Sequence, residues 1–235
     1  MPATVVMIHG LRGRTDEWMP QRLALEAHGH TVLTPDLPGH GARSREPFSV
    51  GEALATVAET VAGCPEPPLL VGRALGAHVA IEVAAGGAAV SGLVAIGCGT
   101  EALGWLDDSN RIAFATHQVL PDKGAALGAL SATRFSGTVP RHTRTSEPGQ
   151  FTDTLGRLSS FDTVAALRRI EAPVWLVNGQ FDLFRMQERA FLAAARSGTL
   201  VRQPGARLAR GIRDPRVTAE LLVDIVDGHS RRPVA

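Results

Sequence analysis

Leu69-Leu70-Val71-Gly72-Arg73-Ala74-Leu75-Gly76-Ala77 passes from a short apolar run, through a tight turn flanked by two glycines, into a helix-forming segment. Pro65-Glu66-Pro67-Pro68 breaks the preceding helix. Leu69 to Val71 therefore reads as a buried strand, and Leu75 to about Ala85 as a helix. A strand that turns straight into a helix is the joint of a strand–helix–strand unit, and the flanking sequence continues that rhythm.

Working outward, Thr4 to Ile8 reads as a buried strand that ends at His9-Gly10. Asp16 is placed to cap a helix from about Trp18 to Ala27, which Gly29 stops. Thr31 to Thr34 is a second strand, and the turn-rich loop from Pro35 to Ser44 follows it. Ser49 and Glu52 have capping-box spacing before a helix with Leu54, Val57, Ala58 and Val61 on one face. Val90 to Ile96, Val174 to Asn178 and Thr199 to Gln203 are further strands, with a helix around Met186 to Arg196. Asp214 and Pro215 open a last helix striped with Val217, Leu221, Leu222 and Ile225. The alternation predicts an α/β fold: a mostly parallel sheet of about six strands with helices on both faces. Residues 1–98 and 161–235 form its core, and residues 99–160 break the rhythm and read as a cap over the carboxyl ends of the strands. Open α/β sheets bind ligands at those ends.

Bulk properties narrow the partners. The 235 residues suit one domain with an insertion. A net charge of +1, with Lys123 the single lysine, gives no electrostatic reason to expect nucleic acid or an anionic membrane. Cys64 and Cys98 match no metal-ligand spacing and no disulfide framework, so no metal or cofactor is expected. No apolar stretch is long enough to span a membrane, and the first strand follows the start directly. The expectation is a cytoplasmic monomer or homodimer acting on a small-molecule substrate.

Four segments resemble the α/β-hydrolase superfamily. Ile8-His9-Gly10-Leu11 is similar to its oxyanion loop, and Asp36-Leu37-Pro38-Gly39-His40-Gly41 with Ser44 to its Asp-x-Pro-Gly-His-Gly-x-Ser loop. Gly72-Arg73-Ala74-Leu75-Gly76 resembles the Gly-x-Ser-x-Gly nucleophile elbow. Val174 to Asp182 resembles the strand that delivers the triad acid. The short start is similar to the compact branch with plant methylesterases and hydroxynitrile lyases.

The departures from that pattern decide the expected function. Ala74 stands where the family has its serine, and a methyl group cannot attack a carbonyl. The resemblance places the acid at Asp182, and Arg207 of Pro204-Gly205-Ala206-Arg207 at the histidine position. Arginine keeps its proton and is no general base. The oxyanion hole is backbone, so the amides of Leu11 and Leu75 are expected to persist. Arg207 and Asp182 suggest an Arg–carboxylate pair that fixes an oxygen-rich substrate, or a purely structural ion pair. Arg73 adds positive charge near the pocket or faces solvent. His9 borders the pocket and is a candidate catalytic residue with Asp182 and His117, although its usual family role is structural; His117 and His142 in the cap are candidate acids or bases. Trp105, Trp18 and Phe114 are candidate walls or core. His78 reads as a packed position, and Cys98 as a buried small hydrophobe. Three accounts follow: an enzyme with lyase, cyclase, isomerase or dehydratase chemistry on a small carbonyl compound; a ligand-binding protein without chemistry; or a serine esterase or lactonase whose nucleophile was changed to Ala74.

Overall fold

A computed structural model describes residues 2–11, 13–99, 161–180, 185, 187–203 and 215–228. Within them six strands form one sheet: β1 (Thr4–Ile8), β2 (Thr31–Leu33), β3 (Leu69–Arg73), β4 (Gly92–Ile96), β5 (Val174–Gly179) and β6 (Gly198–Gln203). Their order is β2-β1-β3-β4-β5-β6, and every pairing is parallel. The helices are α1 (Met19–Ala27), α2 (Val50–Ala62), α3 (Leu75–Ala85), α4 (Thr163–Arg169), α5 (Glu188–Ala194) and α6 (Pro215–Val226).

The strands are apolar on both faces because both are covered. Val6, Ile8, Leu70, Leu93 and Leu176 pack toward α2, α3, α4 and α5. Their neighbours Val5, Met7, Val71, Val94 and Val177 pack on the opposite side, with Leu25 of α1 and Leu222 and Ile225 of α6. This strict alternation is the pleat's period of two. Six strands and two helical layers match the expected fold. Residues 100–160 of the proposed cap and residues 204–214 lie outside the described residues.

Two local details depart from the sequence reading. Asp16 does not cap α1: residues Thr15–Trp18 form a single 3-10 turn, and the Asp16 carboxylate pairs with Arg14 Nη2 at 2.6 Å instead. β4 starts at Gly92, two residues later than Val90, where a Cβ would lie 2.8 Å from the Trp175 ring. The cap on α2 is as read, with Ser49 Oγ accepting from the Glu52 amide.

The topology fixes where a ligand would sit. Chain direction across the sheet reverses between β1, which leads to β2 on one side, and β3, which continues the other way. The crevice at such a switch point lies past the carboxyl ends of the two strands. His9-Gly10-Leu11 leaves one of those ends, and Ala74 leaves the other.

Candidate functional site

The turn from β3 to α3 is built on two glycines that admit no side chain. A Cβ on Gly72 would lie 2.3 Å from the Gly76 carbonyl oxygen and 2.5 Å from Ala77 Cα. On Gly76 it would lie 2.4 Å from the Ile8 oxygen and 2.5 Å from that of His9. The strand and helix therefore cross at backbone contact, and the residue between them is forced out of ordinary geometry. Ala74 has φ 47° and ψ −112°, and among the described residues it is the non-glycine with positive φ. Such a conformation costs on the order of 1–3 kcal/mol and persists when its surroundings over-determine it. The surroundings here are the Ala74 amide, which donates to the Ile96 carbonyl at 2.9 Å, and the Ala74 carbonyl, which accepts from Ala77 and His78. Leu75 opens α3, and the first amides of a helix have no partner within it.

The facing loop is held by histidines. His9 is fully buried; its Nδ1 donates to the Gly10 carbonyl at 2.9 Å, and its Nε2 accepts from the Leu37 amide at 3.0 Å. Burial pushes its pKa below the ordinary value, against the pull of Glu17. Both ring nitrogens are thus engaged with backbone. His40 faces the Leu11 carbonyl with Nε2 at 2.7 Å and the Pro38 carbonyl with Nδ1 at 2.9 Å. Asp36 anchors the same loop by accepting from the Thr15 amide and hydroxyl and the Ala42 amide. Burial pushes its carboxyl up, but these hydrogen bonds outweigh that and hold it below the ordinary range.

Arg73 points to the α1 and α6 side of the sheet. Its Nη2 lies 3.2 Å from Glu17 Oε2, while Glu17 Oε1 accepts from the Gly10 amide at 3.0 Å. One carboxylate thereby ties the β3 end to the β1 loop. No local sequence signal marks Glu17, because its partner Arg73 lies 56 positions away.

Behind Ala74 the structure assembles a group whose members are scattered along the sequence. His78, one turn into α3, has Nδ1 2.9 Å from Thr163 Oγ1 and Nε2 3.5 Å from Cys98 Sγ. His78, Cys98 and Thr163 are fully buried, and burial drives the His78 imidazole down to about 4. Further along the sheet edge, Glu188 accepts from Asn178, Arg185 and Arg202. Burial raises its carboxyl pKa, and these donors more than reverse the effect.

Of the predicted site residues, Leu11, Leu75, Ala74, His9 and Arg73 gather at the switch point. Asp182, Arg207, His117 and Trp105, with His142 and Phe114, lie outside the described residues. Among the described residues no group of three or more His, Cys, Asp or Glu is placed to hold a metal ion, and no helix is long and apolar enough to cross a membrane.

A model of the "Alpha/beta hydrolase family" matches residues 5–225. A comparison with the curated proteins finds no match. Among solved structures, a bromoperoxidase from Bacillus anthracis superposes with a TM-score of 0.79 at 20% identity, covering 97% of this chain and 92% of that one. MenH from S. aureus gives 0.75 at 16% identity, over 97% and 95% of the two chains. A hydrolase from Pseudomonas aeruginosa gives 0.72 at 17%, over 96% and 90%. At these identities the likeness is one of fold.

Proposed function

The chain belongs to the alpha/beta hydrolase family, and on that premise we propose that it is a repurposed, non-hydrolytic enzyme acting on a small carbonyl compound. The observation that carries the reading is Ala74. The turn keeps its strained φ of 47° and its two obligatory glycines, yet presents a methyl group where the fold delivers a nucleophile. In this reading the turn, which costs stability and supplies no attacking atom, serves to aim the Leu75 amide into the switch-point crevice.

In this reading the Leu75 and Leu11 amides bind the oxygen of a substrate carbonyl and stabilise the charge that develops on it as an enolate or alkoxide. Ala74 forms the floor of the pocket and leaves room for the substrate carbon that a serine would attack. Arg207 and Asp182 orient an oxygen-rich substituent of the substrate, His117 moves the proton, and Trp105 supplies an apolar wall. Residues 99–160 act as the cap that keeps water away. His9 and Arg73 act through position: His9 spends both nitrogens on the loop that carries Leu11, and Arg73 reaches the same loop through Glu17. The bond changes available to such a pocket are proton abstraction beside a carbonyl, elimination, or addition across it, which are lyase, isomerase, cyclase and dehydratase chemistries.

The test is proton NMR of small aldehydes, ketones and 2-oxo acids incubated with the chain in deuterated water. The reading expects turnover or solvent-deuterium incorporation for one of them, lowered by about tenfold or more in Asp182→Asn and Arg207→Leu. Saturable binding with no chemical change would instead make the chain a ligand-binding protein. Turnover indifferent to substitution of Asp182, Arg207 and His117 would refute the roles of these three side chains.

A further inference from the structure

We propose that a cavity between α1, α6 and the ends of β3 and β4 is a binding site for one resident water, which joins α1 to the Glu17–Arg73 tie. The cavity is lined by Glu17, Trp18, Gln21, Arg73, Ile96 and Thr218, and offers about 10 Å³ to the centre of a water molecule. That is the room one water needs. Trp18 and Gln21 are 3% and 1% exposed. Among the described residues, Trp18 Nε1 and Gln21 Oε1 are buried side-chain atoms without a hydrogen-bond partner. A buried N–H and a buried carbonyl left in that way are costly, and a shared water satisfies both.

The Gln21 amide is oriented by its other end. Its Nε2 donates to the Pro215 carbonyl at 3.4 Å, at the start of α6. Reversing the amide would set oxygen against oxygen there, so the oxygen is the atom left for the cavity. Trp18 and Gln21 stand three positions apart at the opening of α1, a spacing that makes side chains neighbours on one helical face.

The lining selects the occupant. The Trp18 indole N–H and the Arg73 guanidinium only donate, whereas Gln21 Oε1 and the Glu17 carboxylate only accept. Two donors and two acceptors are the complement of a water, which accepts twice and donates twice. A cation would meet Arg73 and the indole N–H, and an anion would meet Glu17 and the Gln21 oxygen. The site has a consequence for the crevice. Glu17 Oε1 accepts from the Gly10 amide at 3.0 Å, and Oε2 lies 3.2 Å from Arg73 Nη2. A water held by Trp18 and Gln21 that donates to Glu17 steadies this carboxylate, and through it the loop that carries Leu11. The water positions the loop and takes no part in bond making, so the site stands whatever chemistry the crevice performs.

The experiment is a water-selective NOESY and ROESY pair on the isotope-labelled whole chain, read at the Trp18 indole N–H. Loss of one indole resonance in Trp18→Phe assigns it. A resident water gives cross-peaks of opposite sign in the two spectra, whereas proton exchange gives the same sign in both. Opposite signs are expected in the parent, with the cross-peak lost in Gln21→Met, which keeps an unbranched side chain but not the amide oxygen. The cross-peak should persist in Thr218→Val, which removes the hydroxyl of the lining. In Gln21→Met the Gly10 amide should exchange with solvent faster than in the parent, because Glu17 is held less firmly. Trp18→Phe, which removes another partner of the water, gives a second reading of that exchange should Gln21→Met fail to fold by circular dichroism. Absence of the resident-water signature in the parent, its persistence in Gln21→Met or its loss in Thr218→Val overturns the site. An indole resonance that moves on adding chloride or ammonium overturns water as the occupant. Unchanged Gly10 exchange in both variants overturns the link to the loop.

Discussion

Acid should unfold this protein partly through one imidazole. His78 is fully buried, and its pKa falls from an ordinary 6.5 to about 4 in the folded chain. Between those values the unfolded chain binds a proton that the folded chain refuses. The stabilisation from neutral His78 is therefore complete above about pH 6.5 and is lost as the pH falls toward about 4. Every pH unit that separates the two values is worth about 1.4 kcal/mol, so the full window amounts to about 3 kcal/mol, of which about 2 kcal/mol is gone near pH 5. Urea unfolding near pH 8 and near pH 5 measures it, with His78→Gln as the reference that has no proton to bind. Carboxylates and His9 titrate in both chains and cancel in the difference. The parent should lose about 2 kcal/mol more than the variant over this range. Equal losses would refute the reasoning, because they would mean that His78 takes its proton in the folded chain as readily as in water.

Three further outcomes follow from the site geometry. Ala74→Gly should raise stability by about 1 kcal/mol, because glycine adopts φ 47° without the strain of a Cβ; the urea midpoint reports it. Gly76→Ala should cost about 3 kcal/mol or more, since the new methyl would stand 2.4 Å from the Ile8 oxygen and neither backbone can yield; thermal unfolding reads the loss. Glu17→Ala should cost about 2 kcal/mol by chemical denaturation, because it leaves the Gly10 amide and the Arg73 guanidinium without their shared acceptor.

The fold was legible because it rests on local signals. The apolar run of β3 and its glycines, the Ser49–Glu52 cap on α2 and the stripe of α6 each announce an element from residues a few positions apart. Asp16 shows the limit of such signals, for a carboxylate near a helix start caps it only when nothing closer competes, and Arg14 does. The site was half legible. Leu11, Ala74 and Leu75 follow from the two turns, whose backbone requirements are written in their glycines. Glu17 with Arg73, and His78 with Thr163 and Cys98, were not legible, since they join residues 56, 85 and 20 positions apart through parallel pairing and helix packing. Each had an unremarkable local reading, and only the register of β3 against β1 and β4 brings them together.

The central claim is that the elbow pocket has been rebuilt and no longer holds the machinery of a serine hydrolase. Restoring the hydroxyl tests it: Ala74→Ser, treated with a fluorophosphonate probe that labels only activated serines. The account predicts no labelling, because in the proposed reading Arg207 replaces the histidine that would take the serine's proton. Stoichiometric labelling at position 74 would contradict it, and would make the chain a serine hydrolase that lacks one atom of its nucleophile.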